Sequence, residues 1–321
     1  MGDNRDMTQP IEVPEVHTEP VSSVMRILQL QQTPEDPLED NGDEDSFYGR
    51  SLPQTRRIYG GQVIAQGLLA AAATVEDKTR LPNSLHAYFL RGGKPEDTIR
   101  FDVNRLRDGR SFSSRQVTAW QDERELLTMT SSFHANEEGP ESQYLMPQVP
   151  APENLDSALE LFRTMDHPVA KFLGKTAAFD VRHVQDSLYT EPAPELGTTQ
   201  EIWMKPRAEL PKDMSQAVQR ALLAYVVDQV MLEPSLRSVG LTWSTPGMSL
   251  ASLDHAMWFH RDVPINEWLL FAGRSNAVRG SRAKSEISIY RRSGDLIATA
   301  AQEGMVRVPE DSEHASSHWT F

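Results

Sequence analysis

The feature that most constrains this chain is that much of it is written twice. "YFLR" (88 to 91) lies on "WFHR" (258 to 261), and "LLTMTSS" (126 to 132) lies on "LIATAAQ" (296 to 302); both pairs stand 170 residues apart. Each copy also holds a helix-forming run followed by strand-like runs. In the first, "YGGQVIAQGLLAAAATV" (59 to 75) opens on two glycines and continues in strong helix formers. Strands are expected at 84–91, 98–106, 111–121 and 125–134, with Asp108-Gly109 as a hairpin turn between the second and third. In the second copy a strand at 199–207 precedes "DMSQAVQRALLAYVVDQVML" (213 to 232). This run reads as one long helix, with Asp213 and Gln216 at capping-box spacing. Strands at 249–260, 267–278, 283–291 and 296–307 follow. A repeat this long is a domain, not a solenoid unit. An antiparallel meander must bury one face, and the apolar helix of each copy is the natural cover. The fold class is therefore α+β, with two like domains, each an antiparallel sheet covered by a long apolar helix.

Charge is distributed unevenly along this frame. The net charge is −14, but residues 1 to 46 hold twelve Asp and Glu against Arg5 and Arg26 alone. An acidic tail thus precedes a nearly balanced body, which disfavours nucleic acid as a partner and leaves room for an anionic ligand. Residues 1–46 are read as a disordered acidic tail with a short helix near 22–30. The first domain is placed at 47–136, a Pro-rich linker with a helix at 137–198, the second domain at 199–308 and a tail at 309–321. The opening residues are not a signal peptide, and the longest apolar run, Val63 to Val75, is too short to span a bilayer. A soluble intracellular protein is expected.

Cysteine is absent, which removes disulfides, thiolate metal sites and a thiol nucleophile. No G-x-S-x-G elbow, H-E-x-x-H, P-loop or G-x-G-x-x-G occurs, and no histidine has metal-ligand spacing with a second good ligand. No metal and no cofactor are expected. Three polar residues stand in apolar surroundings instead. Asp228 continues the helix stripe Ala217, Ala221, Ala224. Ser252 interrupts the strand "SLASLDHAMWFHR", on the face shared with Leu250, Asp254 and Ala256. Gln302 follows Leu296, Ala298 and Ala300 on one strand face, with Glu303 on the other. Taken singly, each reads more simply as an exposed or satisfied polar group. Taken together, a carboxylate, a hydroxyl and an amide make no strong nucleophile, but they can hold a water molecule. Such a water needs an electrophile that is already activated, and a thioester qualifies because thiolate leaves without strong acid assistance.

Longer motifs make the picture specific. "YGGQVIAQGLLAA", "SLHAYFLRGG", "RLRDGRSFSSRQVTAWQ", "MPQVPAPENL", "LASLDHAMWFHR", "NEWLL" and "AQEGMVR" stand in an order similar to that of the acyl-CoA thioesterase II family. The resemblance implies two fused hot-dog domains and hydrolysis of acyl-CoA to fatty acid and CoA. It implies a catalytic set of Asp228, Ser252 and Gln302, with Ser252 bonding to the water and not becoming acylated. Arg105, Arg107 and Arg110, or Arg279 and Arg282, are candidates for the CoA phosphates, with solvated surface charge as the alternative; Arg115 and Lys284 lie in the same clusters. Gly92-Gly93 stands where the family usually has Pro-Gly. Relatives of this kind imply a cytosolic or peroxisomal setting, though "WTF" is not a Ser-Lys-Leu-type terminus. A homo-oligomer stays open. Two other activities remain in view: a hot-dog enoyl-CoA hydratase and a non-catalytic acyl-CoA or acyl-carrier binding module. The hydratase would need Asp254 and His255 to act together, and neighbours on one strand face opposite ways.

Overall fold

The computed structural model describes residues 19–34, 43–54 and 57–309. Most of the acidic N-terminal tail, the acidic run 35–42 and the C-terminal tail from 310 onward lie outside the described residues. The expected short helix is inside them as α1 (Pro20–Ile27), whose first N–H groups are capped by the Glu19 carboxylate.

The first half comprises β1 (Ser46–Gly49), α2 (Gly60–Ala73), β2 (Arg80–Phe89), β3 (Ile99–Asp108), β4 (Phe112–Gln121) and β5 (Arg124–Ala135). A connecting stretch holds a 3-10 turn at Pro152–Asn154, α3 (Ala158–Thr164) and α4 (Pro168–Thr176). It continues into a strand the sequence did not suggest, β6 (Phe179–His183). The second half adds β7 (Thr199–Pro206), α5 (Gln216–Val227), α6 (Glu233–Ser238), β8 (Ser249–Ser252), β9 (Asp254–Phe259), β10 (Leu269–Arg279), β11 (Arg282–Arg291) and β12 (Leu296–Arg307).

The strands make one 12-stranded sheet, not two, in the order β1-β3-β4-β5-β2-β9-β12-β11-β10-β7-β6, with β8 paired to β12. The halves meet where β2 pairs with β9. Ser84 lies opposite Trp258 and Tyr88 opposite Asp254. At the 170-residue offset, Ser84 corresponds to Asp254 and Tyr88 to Trp258, so each strand pairs with its own counterpart in a self-complementary register. The duplication thus becomes a two-fold-like seam at the middle of the sheet.

Two central helices lie against each other beneath it. Helix α2 is apolar nearly all round and buried along its length, so even Gln62 and Gln66 are out of water. Their amides are satisfied locally: Gln66 Nε2 donates to the carbonyls of Ile27 (2.8 Å) and Arg50 (2.9 Å). Helix α5 differs from expectation at both ends. Its cap is Ser215, whose Oγ accepts from the Val218 N–H, and not an Asp213–Gln216 box. Gln216 instead accepts the Val263 N–H at 2.8 Å, tying the helix to a loop between strands. The helix also does not run on to residue 232. After Val227 the bonds tighten to i→i−3 (Gln229 to Val226, Val230 to Val227), and a new helix starts with Pro234 in its first turn. Asp228 is left as the C-terminal cap of α5. Among the described residues, no helix is long and apolar enough to cross a membrane.

Candidate active site

The C-terminus of α5 meets the N-terminus of α2, and two glycines permit the approach. A Cβ on Gly61 would stand 2.4 Å from the Tyr225 carbonyl, and one on Gly60 would stand 2.9 Å from Asp228 Oδ2. The Gly61 N–H donates to Asp228 Oδ2 at 2.8 Å. Tyr59, just before the helix, donates its hydroxyl to the Tyr225 carbonyl at 2.6 Å, and the two rings meet edge to face. Burial, with the Asp228 charge adding to it, pushes the Tyr59 hydroxyl well above the ordinary tyrosine range, so it stays a proton donor.

Asp228 is reached from the sheet by two strands. Ser252 ends β8, and its Oγ donates to Asp228 Oδ1 at 3.1 Å. Gln302 in β12 is 1% exposed and donates Nε2 to Ser252 Oγ at 2.9 Å. The three residues singled out in the sequence therefore converge. A fourth joins them: His255 Nδ1 lies 2.6 Å from Gln302 Oε1, and the ring is buried. The direction of this chain is forced. A carboxylate only accepts, so Ser252 donates to it and must accept from Gln302. That turns the amide carbonyl towards His255, which then carries its proton on Nδ1. Burial holds the imidazole below its ordinary pKa, against the opposing pull of the Asp228 charge and the Gln302 bond. Among the described residues, its Nε2 has no hydrogen-bond partner.

The sequence reading weighed His255 only as a partner of Asp254 and missed its contact with Gln302, because the expected strand 249–260 is not continuous. It breaks at Leu253, whose N–H bonds to the Glu303 carbonyl and whose carbonyl accepts from Phe89. On a regular strand, residues three apart face opposite sides. The break brings both Ser252 and His255 onto Gln302. Asp254 turns elsewhere, its Oδ1 accepting the Glu303 N–H at 2.7 Å. Asp254 and His255 therefore part company, as strand alternation required. Glu303, on the far face of β12, pairs with Arg282 at 3.0 Å.

Asp228, Ser252 and Gln302 open onto a cavity of about 1370 Å³. Its walls combine apolar side chains such as Phe89, Leu126, Phe179, Leu232 and Trp243 with residues of α1 and α4. The five arginines proposed from sequence for an anionic ligand do not line it. Arg105 is engaged by Asp45 and Glu76, and Arg282 by Glu303. Arg107, Arg110 and Arg279 are exposed on or beside the hairpins β3–β4 and β10–β11. Charge and a hairpin position drew attention to them, whereas the cavity opens elsewhere. Arg115 is fully buried against Thr74 and Asp108, and Lys284 pairs with Glu286. The basic side chains of the cavity are Arg26, Arg50, Arg57 and Arg91. Among the described residues, no group of acidic or histidine side chains is arranged to hold a metal ion.

Known proteins share both the sequence and this arrangement of chain. Family models described as "Acyl-CoA thioesterase N-terminal domain" and "Acyl-CoA thioesterase C-terminal domain" match residues 49–134 and 147–306. "Acyl-CoA thioesterase 2" of Haemophilus influenzae is 35% identical over 261 residues, covering 79% of this chain and 89% of that protein. The crystal structure of an acyl-CoA thioesterase II, TesB2, from Mycobacterium marinum superposes with a TM-score of 0.71 at 31% identity, covering 90% of this chain and 98% of that one. A hot-dog-fold protein from Alicyclobacillus acidocaldarius gives a TM-score of 0.70 at 18% identity, covering 89% and 98%.

Proposed function

The chain belongs to the acyl-CoA thioesterase II family, and on that premise we propose that it hydrolyses acyl-CoA with a water held by Asp228, Ser252 and Gln302. The observation that carries this reading is the hydrogen-bonded chain from Gln302 through Ser252 to Asp228, open to a cavity with apolar walls. Asp228 takes a proton from the water as its oxygen attacks the thioester carbonyl carbon. The C–S bond then breaks, the electron pair leaves on sulfur, and the proton held by Asp228 passes to the thiolate. The products are the free acid and CoA. Ser252 and Gln302 fix the carboxylate and the water rather than form a covalent intermediate.

The N-terminus of α2 supports the same chemistry. It supplies the Gly61 N–H to the carboxylate, and a helix N-terminus is an electropositive end suited to a developing oxyanion. The test is CoA release from a panel of acyl-CoAs by wild type and Asp228→Asn. Loss of the base is expected to slow turnover about 10²- to 10⁴-fold. Equal rates in the two proteins would remove Asp228 from the mechanism. Tight acyl-CoA binding without any turnover by wild type would instead make the chain a binding module.

A further inference from the structure

The cavity holding Asp228 carries a charge pattern opposite to that of the chain. The sequence sums to −14, yet the described lining includes Arg26, Arg50, Arg57 and Arg91 and, besides Asp228, no acidic side chain. The four come from separate segments: the last turn of α1, the residue after β1, the approach to α2 and the turn after β2. They are therefore not the solvated face of one element. All four residues are exposed.

Their partners set them apart from the other surface arginines. Arg105, Arg261, Arg274, Arg282, Arg291 and Arg292 each pair with a carboxylate. Among the described residues, no carboxylate pairs with Arg26, Arg57 or Arg91, and Arg91 donates only to the Glu125 carbonyl at 3.1 Å. Positive charge that no described carboxylate pairs, lining one cavity, is a poor choice for stability and a good one for an anion. Gly92 keeps one of these side chains in place. A Cβ there would stand 2.6 Å from Arg57 Cδ, so the arginine stem lies across a position where another residue would displace it.

We propose that Arg26, Arg57 and Arg91, with Arg50 beside them, bind the phosphate groups at the nucleotide end of the CoA thioester. This rests on the hydrolase reading for the other end of the molecule, where the thioester meets Asp228. The guanidinium fork matches phosphate oxygens in pairs, which suits arginine over lysine here. The carrier's phosphates then fix the substrate while the acyl chain enters the apolar part of the same cavity.

The test compares an acyl-CoA with the acyl-pantetheine of the same chain, which keeps the thioester and lacks the nucleotide phosphates. Arg57→Gln and the pair Arg26→Gln with Arg91→Gln are exposed changes, and thermal unfolding checks that each variant folds. Each lost guanidinium should lower kcat/KM for acyl-CoA about tenfold, through KM, as for a lost charge-assisted hydrogen bond. The acyl-pantetheine rate should not change. Equal losses on both substrates, or no loss on acyl-CoA, would overturn the proposal. Equilibrium dialysis of free CoA separates this from the hydrolase reading. Arginine-dependent CoA binding by a wild type that hydrolyses neither thioester sustains the phosphate site and sinks only the hydrolase reading. CoA binding unaffected by the substitutions sinks the phosphate site.

Discussion

In the second half the end of α5 presents Asp228 to Ser252 and Gln302, whereas the same place in the first half holds three other residues. "QVIAQGLLAAAAT" (62 to 74) lies on "QAVQRALLAYVVD" (216 to 228), which sets Thr74 against Asp228. The strand offset sets Pro82 against Ser252 and Ser132 against Gln302. Arginines engage the first-half positions. Arg115 Nε donates to Thr74 Oγ1 at 2.8 Å, and Arg220 Nη1 donates to the Pro82 carbonyl at 2.7 Å. One duplicated framework therefore carries the hydrogen-bonded Asp228, Ser252 and Gln302, the set proposed to hold the water, at one end and buried guanidinium bonds at the other. The first half still serves the site in the second, since the N-terminus of α2 supplies Gly60 and Gly61. The glycines matter because the helix ends come within van der Waals range only without side chains there.

Substitutions at matched positions sharpen this contrast. Ser252→Ala should lower kcat about 10²-fold, because a misplaced carboxylate and water cost that much, while Ser132→Ala leaves it unchanged. Steady-state kinetics of the two variants decides the matter, and a comparable fall in both would dissolve the contrast. Gly61→Ala should shift α2 away from the Tyr225 carbonyl, destabilising the fold by about 1–3 kcal/mol and slowing turnover along with it. Urea denaturation and turnover read together would expose an error if the variant were as stable and as active as wild type. Arg115→Met should act on stability alone. Thr74 loses its guanidinium partner in a buried setting, at a cost of about 1–3 kcal/mol, and the turnover of folded protein stays at the wild-type value. A fall in turnover per folded molecule would mean that the first-half end still takes part in the chemistry.

The smallest effect concerns His255. Burial pushes its pKa below the ordinary value of about 6.5. In the unfolded chain the ring gains a proton near that pH, while in the folded chain it stays neutral to lower pH. The unfolded state then binds more protons, so stability falls as pH drops from about 6.5 towards the folded pKa. Replacing the ring by His255→Gln should flatten that part of the stability profile between pH 7 and 5. A slope identical to wild type would show that the ring does not carry it.

Much of this was legible in the sequence, for identifiable reasons. The repeat offset picked out the two strands that meet at the seam, β2 and β9, but not that they would pair with each other, because the offset matches their sequences and says nothing of which edges join. The alternation of Ala298, Ala300 and Gln302 anticipated an inward amide, because β12 keeps a regular pleat from Ala298 onward, past the irregularity at Ile297. Asp228 was visible as a carboxylate in line with alanines, although the helix ends at that residue and does not pass through it. Regularity was assumed where it fails. The break at Leu253 hid the contact of His255 with Gln302, and the tightened turn with Pro234 beyond it hid the division between α5 and α6. Strand β6 was hidden in a run read as linker, and its place at the sheet's end depends on pairing with β7. The cavity arginines were out of reach because separate segments of the chain supply them to one cavity, whereas Arg105, Arg107 and Arg110 are near one another in sequence and do not line it.

The most direct measurement is the residual turnover of Asp228→Asn on an acyl-CoA, per folded chain and relative to wild type. If the second half alone carries the chemistry, about 1% or less of the rate should remain, as for loss of a general base. A residue of about half the wild-type rate would contradict the account, because it would mean that a second, independent site works at the other end of the duplication.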